Sequence, residues 1–331
     1  MFEPGITGTD EVLFTREAQV GRIMLNRPRA INALTMDMVE AIKVQLSLWS
    51  DDERVSVVSI QGAGDRGLCA GGDVRRIREG LLEGTADPVE FWRAEYAVNE
   101  QIATYPKPVV AIMDGVTMGG GLGISAHASI RVTTERSRIA MPETAIGFFP
   151  DVGMSYLLSR APGELGTHMA MTGLPVSGSV AVAAGLADTV VESGQIPALI
   201  ERLTAGETPS LDRAGDDIPE WIGRCYRGDD PVKILAALTA ESDPDAQQAA
   251  QVIASRSPIS VAVALEALRR AADMSLDSVF AQDLRLGTAF SRDRDFIEGV
   301  RAVLVDKDHD PKWRHDALSE VSRAEVLAMF E

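Results

Sequence analysis

The chain has 331 residues, 45% hydrophobic and 24% charged, with a mean hydropathy of +0.01. That is the balance of a globular protein with a sizeable core, built as one large domain or two moderate ones. A formal net charge of −17 and a pI near 4.7 argue against nucleic acid as a partner, because phosphate binding leaves a basic footprint.

No apolar run approaches the ~20 residues of a membrane span, so no membrane partner is expected. The opening MFEPGITGTDE shows neither the basic nor the apolar region of a signal peptide. Two cysteines, Cys69 and Cys225, cannot frame a disulfide network, which makes a reducing cytoplasm the expected location.

In chain order, the alternation of patterns predicts strands at Val12–Thr15, Val20–Leu25, Val55–Gln61, Val109–Met113 and Ile130–Thr133. Met36–Trp49 is predicted to be a helix, with an apolar stripe at Val39, Ile42, Leu46 and Trp49. A second helix is expected over Pro88–Tyr105, and shorter ones near Gly121–Ala128, Gly153–Arg160, Leu165–Met171 and Ser179–Ala184. From Ile196 the strand signal stops. Ala205–Pro219 is rich in turn formers and is expected to be a linker or surface loop. Beyond it the pattern is helical, with Ser257-Pro258 and Ser275 as helix starts. The expected class is α/β, with a core over residues 1–195 and a helical C-terminal region over 196–331.

Four segments could carry chemistry. Leu68-Cys69-Ala70-Gly71-Gly72-Asp73 follows the strand Val55–Gln61; its glycines either make an ordinary turn or expose amides to a ligand. Met118-Gly119-Gly120-Gly121-Leu122-Gly123 follows Val109–Met113 and is expected to present free amides at a helix start, or else to serve tight packing. It lacks the G-x-G-x-x-G spacing of a dinucleotide turn. Together the two glycine runs suggest a two-donor oxyanion hole, which suits thioester chemistry.

The third segment runs from Met141 to Gly153 (MPETAIGFFPDVG) and sets Glu143 and Asp151 among apolar residues. Such carboxylates serve as general acids or bases, although Asp151 could equally cap a helix. On the helix Pro88–Tyr105, Glu95 falls in the apolar stripe of Phe91, Val98, Ile102 and Tyr105. It must either pair with an arginine or face a cavity. The four histidines, His127, His168, His309 and His315, show no metal-ligand spacing. There is neither a G-x-S-x-G elbow nor a Walker sequence. Cys69 is read as a small buried residue rather than a nucleophile.

These segments, with Asn26-Arg27-Pro28-Arg29-Ala30-Ile31-Asn32-Ala33-Leu34 before them, resemble the crotonase (enoyl-CoA hydratase/isomerase) superfamily across most of residues 10–195. The resemblance implies a spiral of ββα units that binds a CoA thioester, with the amides of Gly72 and Gly120 as the oxyanion hole. It makes Arg27, Arg29, Ala70 and Gly71 candidates for contacts with CoA. Hydratases of this superfamily use two glutamates. Here the first falls on Gly123, and only the second, Glu143, is retained.

The MPETAIGFFPDVG segment is instead similar to that of 3-hydroxyisobutyryl-CoA hydrolases, as is the stretch from Asp295 to Asp308 (DFIEGVRAVLVDKD) with Pro311-Lys312-Trp313. Met154 departs from that branch, which usually has a small residue there. The branch resemblance implies hydrolysis of a short branched β-hydroxyacyl-CoA in valine breakdown. Glu143 and Asp151 would be catalytic, Glu95 would contact the substrate, and CoA would belong to the substrate, with no metal or redox cofactor required. An enoyl-CoA hydratase or isomerase is the alternative. A homo-oligomer is possible, since superfamily cores often form trimers.

Overall fold

The computed structural model describes residues 1–85, 87–207 and 215–331. Among the described residues there are ten strands: β1 (Glu3–Pro4), β2 (Val12–Glu17), β3 (Val20–Leu25), β4 (Val57–Gly62), β5 (Gly67–Cys69), β6 (Val109–Met113), β7 (Val116–Met118), β8 (Ile130–Thr134), β9 (Arg138–Ala140) and β10 (Thr189–Val191). Seven of them form one sheet in the order β1-β2-β3-β4-β6-β8-β10, and β5-β7-β9 form a second. The large sheet is antiparallel through β1, β2 and β3 and parallel from β3 onward. Its interior strand β6 is buried at all five positions, as expected of a parallel strand covered on both faces. The class is α/β, as expected.

Two compact units interleave along the chain. The first comprises Met1–Asp73, Arg93–Ile139 and Val176–Asp216; the second comprises Val74–Trp92, Ala140–Pro175 and Asp217–Glu331. The division expected at residue 195 therefore marks the end of the strands and not the edge of a unit. The helix Ile196–Thr204 stays with the sheet because Leu199 and Leu203 pack with Val20, Val110, Ile130 and Val132. Part of the expected linker, residues 208–214, lies outside the described residues.

In the first unit, Thr35 caps the helix Met36–Ser50 by accepting from the Met38 amide, and the helix buries Met38, Val39, Ile42, Leu46 and Trp49. A Cβ on Gly21 would sit 2.7 Å from the Trp49 ring, so β3 admits this helix only because Gly21 has no side chain.

In the second unit, the helix Pro258–Ala271 is capped by Ser257 and buried on nearly every face. It packs against the helices Met154–Leu158 and Leu165–Thr172 and against the 3-10 turn Glu143–Ile146. Ser275 caps the helix Leu276–Phe290, as read from the sequence. The helix Val74–Glu83 was not expected; its mostly polar sequence buries only Ile77 and Gly80.

Candidate active site

In the first unit, the Asn26–Leu34 segment and the Gly71–Asp73 loop are tied together. Asn32 is the knot. Fully buried, it donates its side-chain amide to the carbonyls of Ala63, Gly67 and Leu68, each at 3.1 Å, and accepts from the Arg27 amide at 2.9 Å. The Leu34 amide then donates to Gly71 O and the Asp73 amide to Leu34 O, both at 2.8 Å, which stretches the Gly71–Asp73 loop beside Leu34. Among the described residues, the Gly72 and Gly120 amides donate no hydrogen bond within the protein, whereas those of Leu34, Asp73 and Leu122 all do.

The two free amides are neighbours. A Cβ built on Gly120 would lie 3.3 Å from Gly72 N and 3.3 Å from Leu34 Cδ1, and would collide with Glu95 Oε1. The glycine therefore opens the space that the two amides and the Glu95 carboxylate share. Glu95 reaches it from the helix Pro88–Ala103 and is 3% exposed. The helix after Gly119 is a single turn, Gly120–Gly123, shorter than the expected Gly121–Ala128. Individual amides, rather than a helix dipole, therefore carry the positive potential here.

Cys69 is fully buried, and burial pushes its thiol up to about 12. It is a packing residue, with Gly121 close against its carbonyl.

The candidates for CoA phosphates fare differently. The Arg27 guanidinium is committed internally: Nη2 bonds Asp73 at 3.0 Å, Nε pairs with Glu11 at 3.2 Å and Nη1 donates to Ala33 O. It ties the Asn26–Leu34 segment to the Gly72 loop, so its charge is already neutralised and it acts as a brace. Arg29 is exposed, and its carbonyl accepts from Arg66. The Ala70 amide donates to Ile31 O and the Gly71 amide approaches Cys69 Sγ, so both serve the loop's own fold.

In the second unit, Glu143 opens the turn Glu143–Ile146 and is 7% exposed. The turn closes on Gly147, whose φ of 71° belongs to the left-handed region, and whose amide donates to Glu143 O. One bond ties it directly to the C-terminal segment, and two more hold the residue that makes that bond and its neighbour. The Ser257 amide donates to Thr144 O at 3.2 Å, and Ser257 Oγ donates to Asp295 Oδ2 at 2.8 Å. The Arg314 amide donates to Asp295 Oδ1 at 2.7 Å. Beside it, Phe148 packs on Trp92, Phe149, Phe290 and Phe296 with centroids 4.8–5.4 Å apart.

Asp151 is 6% exposed and does not cap the next helix, since that cap position is Gly153 and no side chain bonds there. Val152 holds a φ of 51°, a strained conformation for a β-branched residue, and Gly153 follows at 75°. The Gly153 amide donates at 2.8 Å to Asp283 Oδ2, on the helix Leu276–Phe290. Sequence reasoning missed Asp283. It sits in the apolar stripe of Val279, Phe280, Leu286 and Phe290, the same signal that singled out Glu95. Met154, the departure noted above, is wholly buried as the first residue of Met154–Leu158.

A family model described as enoyl-CoA hydratase/isomerase matches residues 20–330. The chain belongs to this family. Among its relatives are proteins named 3-hydroxyisobutyryl-CoA hydrolase, mitochondrial. The one from Xenopus tropicalis is 39% identical over 97% of this chain and 88% of its own length. The one from Homo sapiens is 36% identical over 97% and 89%. Solved structures of similar proteins carry other titles. A carnitinyl-CoA dehydratase from Mycobacterium thermoresistibile is 44% identical with a TM-score of 0.91, covering 98% of this chain and 97% of that one. An enoyl-CoA hydratase from Rhodobacter sphaeroides is 38% identical with a TM-score of 0.92, covering 97% of both. The crotonase-like α/β fold expected from the sequence is thus the fold of the family. Among the described residues, no helix is long and apolar enough to cross a membrane.

Proposed function

We propose that the chain is an acyl-CoA thioester hydrolase that converts 3-hydroxyisobutyryl-CoA to CoA and the free hydroxy acid, in valine breakdown. The observation that carries this reading is the pair of unused amides at Gly72 and Gly120, beside the Glu95 carboxylate. Thioester cleavage places negative charge on the carbonyl oxygen, and two preorganised amides suit that charge. One such donor contributes about 3 kcal/mol to the transition state. Glu95, next to the pair, suits a hydrogen bond to the acyl hydroxyl.

Glu143 is the reacting carboxylate. It attacks the carbonyl carbon to give a mixed anhydride that water then hydrolyses to the hydroxy acid and free Glu143, or it removes the proton from a water that attacks the carbonyl directly. In either route the C–S bond breaks and CoA departs as thiolate. Asp151 assists proton transfer. No metal or redox group enters this chemistry.

The relatives named as hydrolases support the substrate. The titles of the two solved structures favour a second reading, hydration or dehydration of an enoyl-CoA. Gly123 speaks against it, because adding water across a double bond uses a second glutamate and Gly123 has no side chain. We place the enzyme in the cytoplasm, where Cys69 and Cys225, both buried free thiols, stay reduced. Thiol release assayed over a panel of acyl-CoAs tests the reading. Release should be fastest with the hydroxylated, branched thioester, and its absence across the panel would overturn the proposal.

A further inference from the structure

We propose that Asp283 is a positioning residue for Asp151, holding the Asp151–Gly153 turn through the Gly153 amide from inside the second unit. Asp283 is wholly inside the second unit; Oδ2 accepts from the Gly153 amide at 2.8 Å, and Oδ1 has no hydrogen-bond partner among the described residues. A buried carboxylate with one bare oxygen is costly, and a neutral carboxylic acid far less so.

The turn it holds needs an anchor, since Val152 is strained and both it and Gly153 are left-handed. An acceptor on the Gly153 amide fixes the two residues that follow Asp151, and with them the direction of the Asp151 side chain.

Charge completes the case. Burial first, and the Asp151 charge beside it, push the Asp283 carboxyl well above the usual carboxylate range, against the opposing pull of the Gly153 amide. Among the described residues, no cation offsets these effects on Asp283. The helix Met154–Leu158 carries no acid or base apart from the phenol of Tyr156, over which Arg160 is stacked. On the helix Arg294–Val300, Arg294 bonds the carbonyls of Lys312 and Trp313, Asp295 is held by Ser257 and Arg314, and Glu298 by Arg301. On its own helix, Asp277 and Arg285 are exposed.

Two carboxyls that act on each other keep one proton between them. The more buried Asp283 holds it. As pH rises, loss of the Asp283 proton puts a buried negative charge against the Asp151–Gly153 turn.

The use of this pair in turnover rests on the hydrolase reading; its protonation does not. The test therefore has two arms on the full-length protein. Infrared difference spectroscopy at pH 7 should show the carbonyl band of a protonated carboxylic acid that Asp283→Asn removes. In the kinetic arm, Asp283→Asn keeps an acceptor for Gly153 but cannot ionise, so the alkaline limb of the kcat profile should move up by at least one pH unit. Asp283→Leu removes the anchor as well, and kcat should fall on the order of 10–100-fold with little change in KM.

An unchanged infrared spectrum in Asp283→Asn overturns the proposal. So does a kcat profile superimposable on wild type, or equal losses in both variants with the limb unmoved. If Asp283→Leu does not fold, Asp283→Asn decides alone. If the wild type releases no CoA, the hydrolase reading fails while the infrared band still decides Asp283.

Discussion

At the scale of single residues, the account depends on where atoms are missing as much as on where they are. Gly120→Ala would place a methyl group against Glu95 Oε1 and 3.3 Å from the Gly72 amide. We expect kcat to fall by about 10²-fold, the scale of losing one oxyanion donor; a folded variant with normal turnover would remove Gly120 from the site. Glu143→Gln keeps the shape but has neither nucleophile nor base, and should lose roughly 10²-fold or more in hydrolysis while CoA still binds. Retained hydrolysis would shift attention to Asp151. Glu95→Gln should lower kcat/KM for 3-hydroxyisobutyryl-CoA about tenfold more than for isobutyryl-CoA, because a site built for a hydroxyl discriminates through that bond. Equal losses on the two thioesters would make Glu95 structural. Asp283 also affects stability. Its folded carboxyl titrates above the unfolded value of 3.8, so the stability it supports is full below that value and declines as pH rises through the folded one. Asp283→Asn has no such decline. Its Tm should exceed that of the wild type by a margin that widens from pH 5 to pH 8, and a margin independent of pH would contradict the raised titration. Glu95 and the glycine runs were legible because a carboxylate in an apolar stripe and glycines after a strand are local signals. The pairing of Arg27 with Glu11 and Asp73 was not legible, because a basic residue near a glycine loop has the same local signature whatever its partner.

Among elements, the long periodic ones and the short helices starting near Leu165 and Ser179 were readable, and the three-residue strands were not. Val20–Leu25 and Val109–Met113 have the bounds expected of them, and Met36–Ser50 and Pro88–Ala103 differ by one or two residues. β5, β7 and β9 span three residues each, too few to show a period of two, and they exist through pairing with one another. The turn bearing Glu143 is likewise held from a distance in sequence, by Ser257, Asp295 and Arg314. Asp295→Ala removes the acceptors of both Ser257 Oγ and the Arg314 amide. Denaturation should show a loss on the order of 2–3 kcal/mol, and kcat should fall with it as the Glu143 turn loosens. Lost stability with unchanged kcat would show that the anchor does not reach Glu143.

For the molecule as a whole, the order of segments along the chain carried most of the information. The α/β class and the family were visible in four motifs and a C-terminal segment. The way the chain divides was not. A stretch that loses its strands at residue 195 looks like a new domain, yet Leu199 and Leu203 return the next helix to the sheet, and the unit containing Glu143 takes its residues from three separate stretches. Such returns depend on tertiary packing, which no local pattern records. The reaction type is the central claim, and it rests on Gly123 standing where a hydratase has its first glutamate while Gly72 and Gly120 keep their amides free. The most direct measurement sets two rates side by side on the purified protein: CoA released from 3-hydroxyisobutyryl-CoA, followed as free thiol, and hydration of crotonyl-CoA, followed by loss of the enoyl absorbance. The account predicts that thiol release outpaces hydration at matched substrate and pH. Hydration outpacing release would contradict it and make the chain a hydratase that draws its second acid from elsewhere.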